Sequence, residues 1–300
     1  MADAEIAGCL ALGIADSGGV TADNPKIAEN GILTGKSEPT MRNRSEMSIS
    51  AIPGLPLFAA GMDVAQSIVT ALDAASQILG DDQVLVLAQK IVSKSEGRLV
   101  ALSGIVPGAR ALEIADQTGR DAAVIELILR ESAEILRATP AAIIARHRTG
   151  HVLANAGIDA SNIEGGDAGA VLLWPVDPDA SCRRIRARLI ELTGKRPAVV
   201  IADSMGRAWR VGTVGCAIGC AGLSVLDDRR GKDRDLFGRT LQATVIAVAD
   251  SLAGMATLAM GEGAEGTPAA LVRGAGRWIS ADDGPGAASG LRAVAEDMFR

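Results

Sequence analysis

From Ile49 onwards the apolar positions fall into short blocks whose spacing switches between helical and extended. Residues 63–79 carry apolar side chains at helical intervals, and 83–92 (QVLVLAQKIV) form a nearly unbroken apolar run that predicts a buried strand. Two helices are expected next, over 110–118 and 120–138, the second stopped by Thr139-Pro140. Residues 141–155 read as a hairpin turning at Arg148-Thr149-Gly150, and 170–174 as a short strand. Asp177-Pro178-Asp179 opens a helix to about Thr193, and 198–202 is a buried strand that ends at Asp203. A Gly-rich stretch follows to Gly222, then a charged loop over 227–235. A helix of about 20 residues is expected from Gly238, and 268–272 gives a last strand. Strands and helices in this mixed order, with hairpins, predict an α+β (mixed α/β) fold and no regular doubly wound sheet.

Residues 1–48 differ. They are rich in Ser, Asn, Gly and Asp, carry more acidic than basic side chains and show no sustained periodicity. They predict a polar, loosely ordered extension, with Met41 and Met47 as candidate starts and one domain over 49–300. Ile6-Ala7-Gly8-Cys9 mimics a lipoprotein box but has no basic or apolar segment before it. The apolar stretch 241–260 carries Gln242 near its start and Asp250 at its middle. A carboxylate at bilayer centre is costly, so this stretch predicts a buried helix and a cytoplasmic protein without membrane contact.

Composition narrows the function. The chain has three Phe, three Trp and no Tyr, against 35 Gly. Aromatic platforms for single-stranded nucleic acid are excluded, because stacking needs several exposed rings. Thirty basic against 36 acidic residues, a net charge of −6, also argues against a phosphate-backbone binder. Cys216 and Cys220 are the only neighbouring pair among four cysteines, and with two histidines in the chain they match no zinc framework.

Two glycine patterns imitate phosphate loops. Gly31 to Ser37 (GILTGKS) is one residue short of a Walker A loop. Gly261-Glu262-Gly263-Ala264-Glu265-Gly266 satisfies the dinucleotide spacing but follows a helix and precedes a strand, the reverse of what that mechanism requires. Its backbone N–H groups can still approach phosphate oxygens. Asp203, followed by Ser204-Met205-Gly206-Arg207, presents hard oxygen ligands of the kind that hold Mg²⁺ or Mn²⁺. Asn155 to Asn162 (NAGIDASN) is a second cluster of short polar groups, and an Asx-rich turn would explain it equally. Lys94, Arg98, Arg207 and Arg210 are candidate phosphate cations, with solvated surface charge as the plainer reading. Together these groups suit phosphoryl transfer on a metal-bound nucleotide.

LVLAQKIVSKSEGR (85–98), NAGIDASN (155–162), VVIADSMGRAWRVGTVGCAIGCAG (199–222) and MGEGAEGTPAALVRG (260–274) resemble the coenzyme F420:L-glutamate ligase family. The likeness runs in order from about Ile52 to Gly274 and is closest to the stand-alone form, without the C-terminal nitroreductase-type domain. It implies a two-part α+β protomer that forms homodimers. It also implies a ligase that uses GTP to activate a carboxylate of a deazaflavin F420 precursor as an acyl phosphate. The amine of L-glutamate then attacks, leaving a γ-linked glutamate. By resemblance, Asp159 and Asp203 would ligate one divalent ion, and Ser204 a second with Glu262 and Gly263. K⁺ is a further ion the likeness allows. Lys94 and Arg207 would join Asp159 and Asp203 in catalysis. The nucleotide would be held by Gly54, Leu55, Pro56, Leu57, Lys94, Asn162 and the loop Gly261, Glu262, Gly263, Ala264, Glu265, Gly266, Thr267 and Pro268. Gln89 and Lys90 stand where relatives often offer hydroxyls, and Lys90 would meet phosphate as a cation. A ligase of the same site acting on another carboxylate, and a non-catalytic nucleotide-binding relative, remain the alternatives.

Overall fold

The computed structural model describes residues 46–163 and 169–297. The extension up to residue 45, with its Walker-like decoy, lies outside the described residues. A five-stranded sheet carries the larger part of the fold, in the order β1 (Ser48–Ala51), β12 (Ala269–Arg273), β2 (Val84–Ala88), β8 (Ala198–Gly206) and β9 (Thr213–Ala221). The central β2 and β8 run parallel, pairing Val84 with Ala198 through to Ala88 with Ala202, and the other neighbours are antiparallel.

Strand alternation divides two cores across this sheet. Leu85, Leu87, Val199 and Ile201 face one side, where α1 (Val64–Ala74) and α5 (Pro178–Thr193) pack. Val84, Val86, Val200 and Ala202 face the other, against α6 (Val248–Met260). Because both faces are covered, these strands read as continuous apolar runs. A third core joins α3 (Ala109–Thr118), α4 (Ala122–Glu131), β5 (Ile143–His147) and β7 (Ala170–Leu172). There β4 (Ser132–Ala138), β5 and β6 (Val152–Ala154) form a small antiparallel sheet, and β3 (Leu99–Ala101) pairs with β7. The mixed α+β architecture stands as expected. No helix among the described residues is long and apolar enough to cross a membrane.

Several helix starts follow from their caps. The carboxylates of Asp63, Asp121 and Asp177 accept from backbone N–H groups in the first turns of α1, α4 and α5, and Pro178 follows Asp177.

Four element boundaries need correction. The expected strand 83–92 stops at Ala88, and α2 (Gln89–Ser95) begins at once. The expected helix 120–138 ends at Glu131, and 132–138 pair with β5 as a strand. The Gly-rich stretch after Asp203 is largely the long hairpin of β8 and β9, so Asp203 lies within β8 and does not end it. The long helix expected from Gly238 is shorter. Leu226–Asp228 (β10) and Val245–Ala247 (β11) pair as a hairpin, and α6 starts at Val248.

Candidate active site

A cavity of about 810 Å³ opens where α2, β8 and the loop between α6 and β12 meet, a volume suited to a small-molecule ligand. Leu55, Pro56 and Leu57 form one rim, and Gln89, Lys90 and Lys94 of α2 form a wall. Asn162, Asp203, Ser204 and all of Gly261, Glu262, Gly263, Ala264, Glu265, Gly266, Thr267 and Pro268 complete the lining. Phe58, Leu99 and Thr257 also line it, although nothing in the sequence singled them out.

The order β2–α2 explains the lysine wall. The strand delivers the chain to the end of the central β2–β8 pair at Ala88, and the helix turns Lys90 and Lys94, four residues apart, onto one face. Lys94 Nζ donates to the Asn162 carbonyl at 2.7 Å, and Asn162 Nδ2 donates to the Gly263 carbonyl at 3.1 Å. Segments distant in sequence are thereby tied into one rim. Asn162 has φ 54°, a left-handed conformation that Asn tolerates better than most residues.

Asp159 does not line the cavity itself but reaches its wall through Lys90, whose Nζ is 2.5 Å from Asp159 Oδ2. Ser161 donates to the same carboxylate through its backbone N–H at 2.7 Å and its hydroxyl at 2.9 Å. Burial alone would raise the Asp159 carboxyl, but Lys90 and Ser161 outweigh it and hold the group below the ordinary range. The chain approaches Asp159 through three consecutive left-handed residues, Asn155, Ala156 and Gly157. At Gly157 a Cβ would lie 2.3 Å from the Trp174 indole nitrogen, so only glycine fits against that ring.

Asp203 meets the cavity from β8. Its Oδ2 accepts from Trp174 Nε1 at 2.7 Å, and its Oδ1 accepts from the Ser204 N–H at 2.9 Å. Burial pushes the Asp203 carboxyl up to about 6, with Asp159 adding repulsion, against the opposing pull of Trp174, Lys90 and the Ser204 N–H. Ser204 donates through its hydroxyl to Glu262 across the cavity mouth.

Behind Asp203 lies a buried network that sequence reasoning missed. The Trp174 ring packs against His147 and His151, with centroids 4.9 and 5.5 Å away. Arg98 Nε donates to the Trp174 carbonyl at 2.8 Å, and Arg98 Nη2 donates to Glu131 at 2.9 Å. Arg148 reaches the other Glu131 oxygen at 2.8 Å. Burial raises the Glu131 carboxyl, but His147, Arg98 and Arg148 together bring it down to about 2. The one available signal was Trp174 itself, a polar-tipped ring at the end of an apolar strand in a ring-poor chain.

Four further expected residues are not brought into the cavity. Arg98 is held by the Trp174 carbonyl and Glu131 and does not line the cavity. Arg207 is exposed on the β8–β9 turn, donating to the Val211 and Gly212 carbonyls, and the Arg210 beside it is also exposed. Gly54 precedes the rim without lining the cavity. Within α2, Gln89 Oε1 accepts from Ser93 at 2.8 Å, while its buried Nε2 has no hydrogen-bond partner among the described residues.

The described residues contain no cluster of three or more His, Cys, Asp or Glu side chains arranged around a metal position. Even so, the donors fit a hard divalent ion. Asp159 and Asp203 are carboxylates influenced by one cation, the Lys90 ammonium, which stands in for a bound positive charge. Ser204 and Glu262 add further oxygens, and all-oxygen sets select Mg²⁺ or Mn²⁺ over softer metals.

Fold and cavity thus describe an α+β protein whose lysine wall and backbone loop suit an anionic ligand beside a hard cation. A sequence model of the family described as F420-0:Gamma-glutamyl ligase matches residues 54–274. The chain is 46% identical to the coenzyme F420:L-glutamate ligase of Methanothermobacter thermautotrophicus over 228 residues, 76% of this chain and 89% of that protein. It is 46% identical to the protein of the same name from Methanopyrus kandleri over 230 residues, 76% and 90% of the two chains. Identity to the Methanocaldococcus jannaschii protein of that name is 40% over 246 residues, 82% and 94% of the two chains. The chain therefore belongs to the F420-0:gamma-glutamyl ligase family.

Proposed function

We propose that this chain is a GTP-dependent ligase that joins L-glutamate, through a γ-linkage, to the deazaflavin precursor of coenzyme F420. A carboxylate oxygen of the precursor attacks the γ-phosphorus, the bond to the β–γ bridging oxygen breaks, and GDP departs. The glutamate amine then attacks the acyl carbon and loses a proton, and phosphate leaves with the electron pair of its C–O bond. The observation that carries this reading is the convergence of Lys90, Lys94, Asp203, Ser204 and the 261–268 loop on one cavity.

Lys94 would neutralise phosphate charge while its tie to Asn162 keeps the rim closed. Backbone groups of the 261–268 loop approach the ligand without side-chain bulk at Gly261, Gly263 and Gly266. Asp159, Asp203, Ser204 and Glu262 would hold Mg²⁺ or Mn²⁺, with K⁺ as a further ion. Bound there, the divalent ions offset triphosphate charge and polarise the transferred group. Trp174 keeps the Asp203 carboxylate aimed into the cavity. Leu55, Leu57, Phe58 and Leu99 give the cavity an apolar side, with Phe58 buried and Leu57 and Leu99 exposed.

The reading is tested by following phosphate release with each substrate omitted in turn. It expects sustained release only when precursor, glutamate, GTP and a divalent ion are all present. Sustained release without glutamate, or indifference to the precursor, would overturn it.

A further inference from the structure

Lys90 occupies an unusual electrostatic position. Its ammonium lies 2.5 Å from Asp159 Oδ2 and lines the cavity that Asp203 also lines, so it neutralises one of the two carboxylates that the ligase reading assigns to a divalent ion and shares a cavity with the other. It lines the same cavity as Lys94, one helical turn further along α2. The remaining contacts of the Asp159 carboxylate come from Ser161, two residues away, and belong to a local turn. Lys90 comes from a different element on a flexible four-carbon stem, so it is the partner able to withdraw.

We propose that Lys90 is a resident counter-ion that guards the Asp159–Asp203 pair until a divalent cation displaces it, and that it then moves to the phosphates of the incoming nucleotide. The inference rests on the ligase reading and adds a coupling rule to it. A metal arriving alone must strip Asp159 of an ion partner and leave an ammonium uncompensated in the cavity. A metal arriving with triphosphate gives that ammonium a new anionic partner. Lys90 therefore weakens the binding of metal alone and strengthens the binding of nucleotide, which makes the two cooperative. Couplings of this kind commonly amount to about 5- to 150-fold in affinity.

This arrangement has a signature that a merely structural lysine would not give. In Lys90→Met and Lys90→Gln, the two affinities shift in opposite directions. We expect Mn²⁺ alone, titrated into the full chain and read by electron paramagnetic resonance of the free ion, to bind about tenfold more tightly than in the wild type. A non-hydrolysable GTP analogue, titrated without metal, is expected to bind at least about fivefold more weakly. Lys90→Arg keeps the charge and is expected to leave both affinities near the wild-type values.

Mn²⁺ binding unchanged or weakened in both neutral variants, with the wild type binding metal and nucleotide, overturns the counter-ion role alone. A wild-type chain that binds neither Mn²⁺ nor the analogue, separately or together, overturns the ligase reading and this inference with it. Two neutral variants of different shape keep a folding defect in one from deciding the result.

Discussion

Replacing Glu131 by Gln keeps the shape of a buried side chain and removes its charge, which isolates the network behind the cavity. Glu131 accepts from Arg98 at 2.9 Å and Arg148 at 2.8 Å, and His147 Nε2 lies 3.6 Å away. The two arginines and the His147 ring bring the carboxyl from 4.5 to about 2 despite its burial. A shift of that size is linked to about 3 kcal/mol of folding stability at neutral pH. The folded carboxyl titrates below the unfolded one, so the unfolded chain takes up the proton first as pH falls. The stabilisation is complete above the unfolded value of 4.5 and lost as pH approaches about 2. Urea unfolding of both proteins, followed by tryptophan fluorescence between pH 7 and 3, measures the difference. The expected result is a deficit of about 3 kcal/mol in Glu131→Gln at pH 7, nearly constant to about pH 5 and shrinking below it. A deficit under about 0.5 kcal/mol at pH 7, or one unchanged at pH 3, would refute the electrostatic reasoning.

Trp174→Phe removes the donor to Asp203 and part of the packing between His147 and His151; it is expected to cost roughly 2–3 kcal/mol in chemical unfolding. It is also expected to weaken stabilisation by added Mn²⁺ in thermal unfolding, and an unchanged response would separate Trp174 from the site. Gly157→Ala forces a Cβ into the Trp174 ring at a backbone φ of 74° and should lose at least about 2 kcal/mol in the same measurement; a neutral outcome would show that the 155–157 turn can shift freely. Lys94→Met is expected to weaken GTP binding about tenfold or more by calorimetry, and unaltered affinity would remove Lys94 from the nucleotide site.

How far the chain could be read depended on whether local and tertiary signals agreed. The strands β2 and β8 were visible because both faces are buried, leaving apolar runs. The start of α2 was not, because Ala88 gives it no side-chain cap and VLVLA runs into QKIVSK without a turn residue. Residues 132–138 (SAEILRA) contain good helix formers, and pairing with β5 overrides that propensity. The strand β9 was hidden by its glycines. Gly215 lies so close under α6 that a Cβ would be 2.6 Å from the Ala253 carbonyl, so a small residue marks close approach there and not a loop. Asp250, which excluded a membrane span, accepts from the Ala217 N–H at 2.9 Å, where the β8–β9 register shifts.

Asp203, Ser204, Lys94, Asn162 and Gly261 to Gly266 were singled out as residues, Thr267 and Pro268 through the resemblance alone, and the structure brings them onto one cavity. Arg98 and Arg207 show the limit of such reading. An arginine near a motif has the right charge, but only its contacts reveal whether it serves a ligand or, as with Arg98, a tryptophan carbonyl and a buried glutamate.

The central claim is tested most directly by mass spectrometry of the deazaflavin precursor after incubation with this chain, L-glutamate, GTP and Mn²⁺. The account predicts a product heavier by one glutamyl unit, formed together with GDP and phosphate, and none from Asp203→Asn. Precursor returned at its original mass by the wild-type chain, or glutamylated equally well by Asp203→Asn, would contradict it.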